Sequence, residues 1–183
     1  DQLAAEGVRF KNSFVTTSIC AASRASWMTS RYEGSHGYTF GKPAMGEELA
    51  DETYFARLKD AGYRTGFVGK WGVKFEQGVM NEHLDTYRPM SPAYLRERDG
   101  EGARHLTDRT ADEAIRFLSE AEGGAPFCLT LSFNAPHAED PHPDQYIPPT
   151  DLAELYAGAE VAEPPLDSLV CLRPPLEGDR RLY

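Results

Sequence analysis

Apolar residues recur along this chain in two rhythms, and the rhythm decides which element each stretch can build. "DETYFARLKDAGY", residues 51–63, puts Tyr54, Phe55, Leu58 and Ala61 on one face at helical spacing, with Gly62 as its stop. "TDRTADEAIRFLSEAEGG", residues 107–124, predicts an amphipathic helix with Ala111, Ala114, Ile115 and Leu118 inward. Thr110 with Glu113 fits a capping box for it, and Thr107 is an equal candidate. Two more helices are expected, one over residues 21–31 and one ending at Gly7. Unbroken apolar runs make the second rhythm. "RTGFVGKW" (64–71) reads as a buried strand. "PFCLTLSF" (126–133) predicts a strand inside a sheet covered on both faces. "VRFKNSFVTT" (8–17) is rich in β-formers and predicts a further short strand. Residues 33–47 read as loop, and the polar stretch 76–104, with Pro89 and Pro92, reads as an excursion.

Helices alternating with strands imply an α/β fold, a largely parallel sheet flanked by helices. Ligands of such sheets sit beyond the carboxyl ends of the strands. Cys20, Lys70 and His137 each follow a predicted strand, which groups them before any chemistry is considered. A length of 183 residues suits one domain, here 1–156. Eight of the thirteen prolines lie beyond Pro136, so the remainder, 157–183, is expected to be an irregular tail. The net charge of −10 argues against a nucleic-acid partner. Three widely spaced cysteines make neither a disulfide framework nor a zinc site. No apolar run approaches about 18 residues, so no membrane span is expected, and no signal peptide is seen. The opening "DQLAAEGVRF" lacks an initiator Met, and the chain reads as a piece of something longer.

The densest chemistry lies in "SICAASRASWMTSR", residues 18–31. A helix starting near Ala21 aims free N–H groups and the positive end of its dipole at Cys20. Arg24, one turn on, can lean toward the same spot. A thiolate phosphatase loop would need arginine at position 26, where Ser26 stands. A cysteine protease would pair Cys20 with a histidine and an amide or acid; His137 and Asn134 exist, without a local signature. A buried structural cysteine is the plain alternative.

These residues resemble the sulfatase signature, Cys-x-Pro-Ser-Arg followed by Thr-Gly-Arg. Cys20, Ser23, Arg24, Thr29 and Arg31 match it; Ala22 replaces the proline and Ser30 the glycine. "GYRTGFVGKW" is similar to the segment whose lysine binds sulfate, here Lys70. "SFNAPH" resembles the strand-end Pro-His whose histidine approaches the ester oxygen, here His137. "DQLAAEGVRF" is similar to the helix preceding the signature, so the likeness runs from Asp1 to about Tyr156. It implies an alkaline-phosphatase-like fold, incomplete at both ends. It implies hydrolysis of a sulfate monoester by S–O cleavage, through a formylglycine made from Cys20 by a formylglycine-generating enzyme. Arg24 would support that residue, Lys70 hold the sulfate and His137 protonate the leaving alcohol. The implied metal is Ca²⁺, with modified Cys20 as one ligand and the acidic and amide ligands outside this chain. The implied substrate is a sulfated small molecule or glycan, and the implied location periplasmic or secreted. Two rivals remain: a phosphoester or phosphonate hydrolase of the same superfamily, and a non-catalytic truncated remnant.

One departure stands out. The family's Lys-Trp-His continues here as Lys70-Trp71-Gly72, leaving His36, His83, His105 or His142 as substitutes. Of the other residues, Trp27 and Met28 are expected in the core and Cys128 in packing. Cys171 lies in the Pro-rich tail. Arg31 is expected to pair with a carboxylate or cap its helix. Tyr38, Phe40, Tyr94 and Tyr146 are candidates to line a pocket, and Glu139, Asp140 and Asp144 read as a solvated acidic loop.

Overall fold

A computed structural model describes residues 2–40, 42–98, 102–120 and 124–160. Three parallel strands form its sheet in the order β2 (Thr86–Pro89), β1 (Arg64–Gly69), β5 (Phe127–Ser132). β1 runs in register with β5 from Arg64↔Phe127 to Gly69↔Ser132, and with β2 from Gly66↔Thr86 to Gly69↔Pro89. The helices are α1 (Gln2–Glu6), α2 (Cys20–Thr29), α3 (Glu33–His36), α4 (Glu47–Asp51), α5 (Tyr54–Asp60) and α6 (Leu106–Ser119). Strands β3 (Leu95–Arg98) and β4 (Gly102–His105) pair antiparallel as a separate ribbon. The chain divides into two compact units, Asp1–Thr150 and Asp151–Tyr183. Residues 151–160 of the second hold turns, and most of the expected tail, including Cys171, lies outside the described residues.

Alternation along β1 sets the two faces of the sheet. Phe67 points into a cluster with Ala21, Ala25 and Met28 of α2 and Phe55 of α5. Its neighbour Gly66 faces α6 so closely that a Cβ there would lie 2.6 Å from the Phe117 ring. Helices therefore cover both faces of β1. β5 is an edge strand among the described residues and only half-buried, with Phe127 and Leu131 exposed, so the expectation of cover on both faces does not hold for it.

Several sequence expectations change. Residues 8–17 form no strand. Val8, Phe10, Phe14 and Val15 are exposed, and β-formers without a neighbouring ladder have nothing to fix them. The 76–104 excursion contains β2, β3 and β4. β2 is a short, mostly exposed edge strand, legible through its pairing and not through its composition. α6 is rotated from its expected face. Leu106, Thr110, Ala114 and Phe117 are buried, while Ile115 and Leu118 are exposed. The helix starts earlier than predicted because His105 is the cap, its Nδ1 accepting from the Thr107 N–H. Thr110 is no cap; it lies a turn inside and donates to the Leu106 carbonyl. The stretch 51–63 is split by Thr53, which caps α5 by accepting from the Ala56 N–H.

Asp85 ties β1 to the segment entering β2. It accepts from the Thr65 N–H at 2.9 Å and pairs with Lys59. Burial alone would raise its carboxyl pKa, but the Lys59 hydrogen bond, the Thr65 N–H and the Lys59 charge outweigh it and hold the group below the usual carboxylate range. A carboxyl depressed by folding stabilises above its unfolded pKa, and that contribution disappears as pH falls through the folded one. Asp85→Asn is therefore expected to lower the melting temperature in neutral buffer and to differ little from the parent in strong acid. Thermal melts at the two pH values check this.

Candidate active site

The chemistry gathers where β1 and β5 end. Gly69 closes β1 at φ +108, and a Cβ there would lie 1.9 Å from the Ser132 carbonyl oxygen. This close approach lets the Lys70 N–H donate to that carbonyl at 2.7 Å. Arg24 joins both strand ends from α2. Its Nη1 donates to the Lys70 carbonyl at 2.6 Å and to Ser132 Oγ at 2.8 Å. Gly72 leaves the room for it, since a Cβ on Gly72 would lie 2.8 Å from Arg24 Cδ, at a φ of +68. The side chain missing at position 72 thus corresponds to space that Arg24 fills.

Cys20 is the first residue of α2, half-buried and free of any disulfide. It sits one turn before Arg24, as the sequence spacing implies. No strand precedes it among the described residues, so the strand-end expectation fails for this residue alone. Burial lowers the Arg24 pKa, and the nearby Cys20 opposes that shift. Burial likewise lowers the Lys70 ammonium, with Cys20 opposing, Arg24 reinforcing and Asp140 opposing. Arg24 and Lys70 thus both feel Cys20, and Arg24 is bonded to the Lys70 carbonyl.

Lys70 and His137 line one cavity of about 610 Å³, together with Trp71, Met90, Asn134 and Asp140. His137 is exposed on the loop after β5, and its Nδ1 lies 2.8 Å from the Ala138 carbonyl. If that nitrogen carries the proton, Nε2 is the atom free to face a ligand. The loop is fixed from the excursion. Tyr94 donates from its hydroxyl to the His137 carbonyl at 2.6 Å, and its N–H donates to Glu139 at 2.8 Å. Buried Asn134 donates to the Met90 carbonyl at 3.0 Å. Tyr94 is itself buried, stacked on His105 with ring centroids 5.1 Å apart, so it supports the loop and does not line the pocket. Glu139 and Asp140 are likewise more than solvated loop acids.

The other candidates settle elsewhere. None of the four alternative histidines lines this cavity. His36 is buried between Ser26 and the Tyr38 N–H, His83 pairs with Asp51 at 3.1 Å, His105 caps α6, and His142 contacts Asp144. Met28 is buried as expected. Trp27 is 40 % exposed and stacks on Tyr54. Arg31 pairs with Glu52. Tyr38 is buried, while Phe40 and Tyr146 are exposed. Cys128 is half-buried, and burial raises its thiol pKa. The sequence signal for Ser132 is slight, a second hydroxyl after Thr130 at the end of a mostly apolar strand.

A profile of the Sulfatase family matches residues 1–163. The chain belongs to the sulfatase family. It is 28 % identical over 144 residues to an N-acetylglucosamine-6-O-sulfatase of Bacteroides thetaiotaomicron, covering 75 % of this chain and 25 % of that protein. It is 29 % identical over 184 residues to an Escherichia coli protein described as an uncharacterized sulfatase, covering 86 % and 35 %. A protein solved in complex with its substrate D-glucosamine-2-N,6-O-disulfate superposes with a TM-score of 0.63 at 24 % identity, over 89 % of this chain and 33 % of that one. The fold is therefore the alkaline-phosphatase-like α/β fold of sulfatases. This sulfatase chain spans about a third or less of the length of these relatives.

Proposed function

We propose that this sulfatase chain contributes the anion-holding half of a site that hydrolyses sulfate monoesters, with Cys20 as the nucleophile's precursor. The observation that carries the reading is the convergence of three groups. Cys20 acts on the charges of Arg24 and Lys70, Arg24 bonds to the Lys70 carbonyl, and Lys70 shares its cavity with His137. A small side chain at the head of α2, whose charge is felt by two cations, suits the role of a formylglycine precursor. That group would supply an oxygen nucleophile for sulfur.

The chain's own residues define the rest. Arg24 is anchored through Nη1 and keeps its other donors for the anion beside Cys20. Lys70 supplies a fixed positive charge where sulfate oxygens gather charge, an arrangement worth most in a partly dry site. His137, free at Nε2 in that tautomer, can pass a proton to the departing alcohol. Tyr94 and Asn134 keep it in range by fixing the loop. Calcium is a different matter. Among the described residues no three His, Cys, Asp or Glu side chains gather so as to hold a metal ion. These residues do not by themselves fit Ca²⁺. A sulfated small molecule or glycan is the substrate class that the two cations favour.

The test is parallel hydrolysis of an aryl sulfate and an aryl phosphate by the protein coexpressed with a formylglycine-generating system, with intact mass reporting conversion of Cys20. Faster sulfate turnover supports the reading. Preference for phosphate favours the phosphoester-hydrolase alternative, and absence of conversion favours a non-catalytic domain. Lys70→Gln is expected to reduce kcat/KM for the sulfate by about 100-fold or more.

A further inference from the structure

A second cationic cavity shares Met90 with the first. Four arginines, Arg96, Arg104, Arg109 and Arg116, line a space of about 340 Å³ between the β3–β4 ribbon and α6. Among the described residues two carboxylates line it with them, Asp112 and Glu113, and both are engaged. Asp112 holds Arg104 at 2.6 Å, and Glu113 holds Arg116 at 3.3 Å and Arg88 at 3.7 Å. Arg109 donates to the Ala93 carbonyl at 2.7 Å and has no carboxylate partner among the described residues. Arg96 has neither hydrogen bond nor ion pair there. In a chain of net charge −10, a cavity in which two guanidinium groups lack a carboxylate partner among the described residues is a local inversion.

The Nε–H groups of Arg104 and Arg109 are sealed from solvent and lack a hydrogen-bond partner among the described residues, so an occupant would meet the outer guanidinium nitrogens instead. Arg96 and Arg109 also repel each other, and burial followed by that repulsion lowers the Arg109 pKa. An oxyanion would relieve the repulsion while accepting from the guanidinium forks.

Met90 supplies the link. It lines both this cavity and the one shared by Lys70 and His137. We infer that the arginine cavity binds an oxyanionic substituent, a sulfate or carboxylate, of the same glycan whose sulfate ester enters beside Lys70. The choice of a glycan rests on the proposed sulfatase reading; the capacity to bind an oxyanion does not. The ligand class is thus a multiply anionic saccharide, and the arginines favour it over a singly sulfated one.

The experiment separates these levels by titrating the chain with inorganic sulfate, and then with mono- and disulfated glucosamine, by calorimetry. Arg96→Gln tests the cavity, because Arg96 is exposed and its loss leaves the folded contacts intact. Arg109→Lys keeps the charge and removes the planar guanidinium fork. Arg57→Gln, on exposed α5 surface, controls for net charge. Arg96→Gln is expected to weaken disulfated glucosamine about tenfold, the loss of one charge-assisted contact, and the monosulfated sugar much less. Arg57→Gln should change neither. Equal losses from Arg96→Gln and Arg57→Gln, or no loss from Arg96→Gln and Arg109→Lys together, would overturn the inference. A Lys70→Gln background keeps the outcomes distinct. Arg96-dependent binding of inorganic sulfate that persists there supports the cavity even where hydrolysis fails.

Discussion

Cys20→Ala is expected to abolish sulfate-ester hydrolysis by a protein that turns over, lowering kcat on the order of 1,000-fold or more, while leaving the fold intact. The reasoning is local. Alanine is a strong helix former, so α2 keeps its first turn. Cys20 makes no disulfide and is only half-buried, so little packing is lost. Arg24 stays held by the Lys70 carbonyl and Ser132, neither of which involves the sulfur. On the proposed reading, what disappears is the thiol whose oxidation leaves the aldehyde carbon, and it is the hydrate of that aldehyde that supplies the nucleophilic oxygen. Cys20→Ser is the sharper comparison, because it restores an oxygen without the aldehyde chemistry. Both variants should retain the parent's circular dichroism and sulfate affinity within a fewfold. Turnover that survives Cys20→Ala at the parent rate would remove Cys20 from the mechanism.

Gly69→Ala is expected to cost about 3–5 kcal/mol of stability, among the larger effects of a single substitution. At Gly69 two penalties coincide. The backbone stands at φ +108, which L side chains rarely adopt, and the added Cβ would sit 1.9 Å from the Ser132 carbonyl oxygen, a backbone atom that cannot rotate away. Relief requires β1 and β5 to part where Lys70 bonds to Ser132 and both accept from Arg24. Stability and anion binding should therefore fall together. Gly37→Ala is the control. It carries a positive φ of +66 but open space around the would-be Cβ, so only the backbone cost of about 1 kcal/mol is expected. Urea denaturation of the two variants, giving equal losses, would refute the clash argument.

Where sequence reading worked, a local signal matched the final packing. The apolar run 64–71 becomes β1 because five of its six strand residues are buried. The Cys20–Arg24 spacing is one helical turn, so a single helix puts both side chains on one face. Where it failed, partners remote in sequence decided. β2 is four residues long and mostly exposed, and only parallel pairing with β1 makes it a strand. The face of α6 was misjudged because Phe117 must fill the space above Gly66, which overrides the aliphatic stripe through Ile115 and Leu118. Residues 8–17 have strand composition but no ladder to join. At the site, Lys70 and His137 follow from the strand-end rule, whereas Ser132, Gly72 and Tyr94 matter through contacts dozens of residues away. No local pattern announces such contacts.

The hydroxyl of Tyr94 on the His137 carbonyl, and the amide of Asn134 on the Met90 carbonyl, have a bearing on how this chain can vary. A connection between two parallel strands ordinarily tolerates residues being added or removed. Here the two tethers remove that freedom between Met90 and Tyr94. A change of length between Met90 and Tyr94 would shift both tethers out of step and set the imidazole adrift.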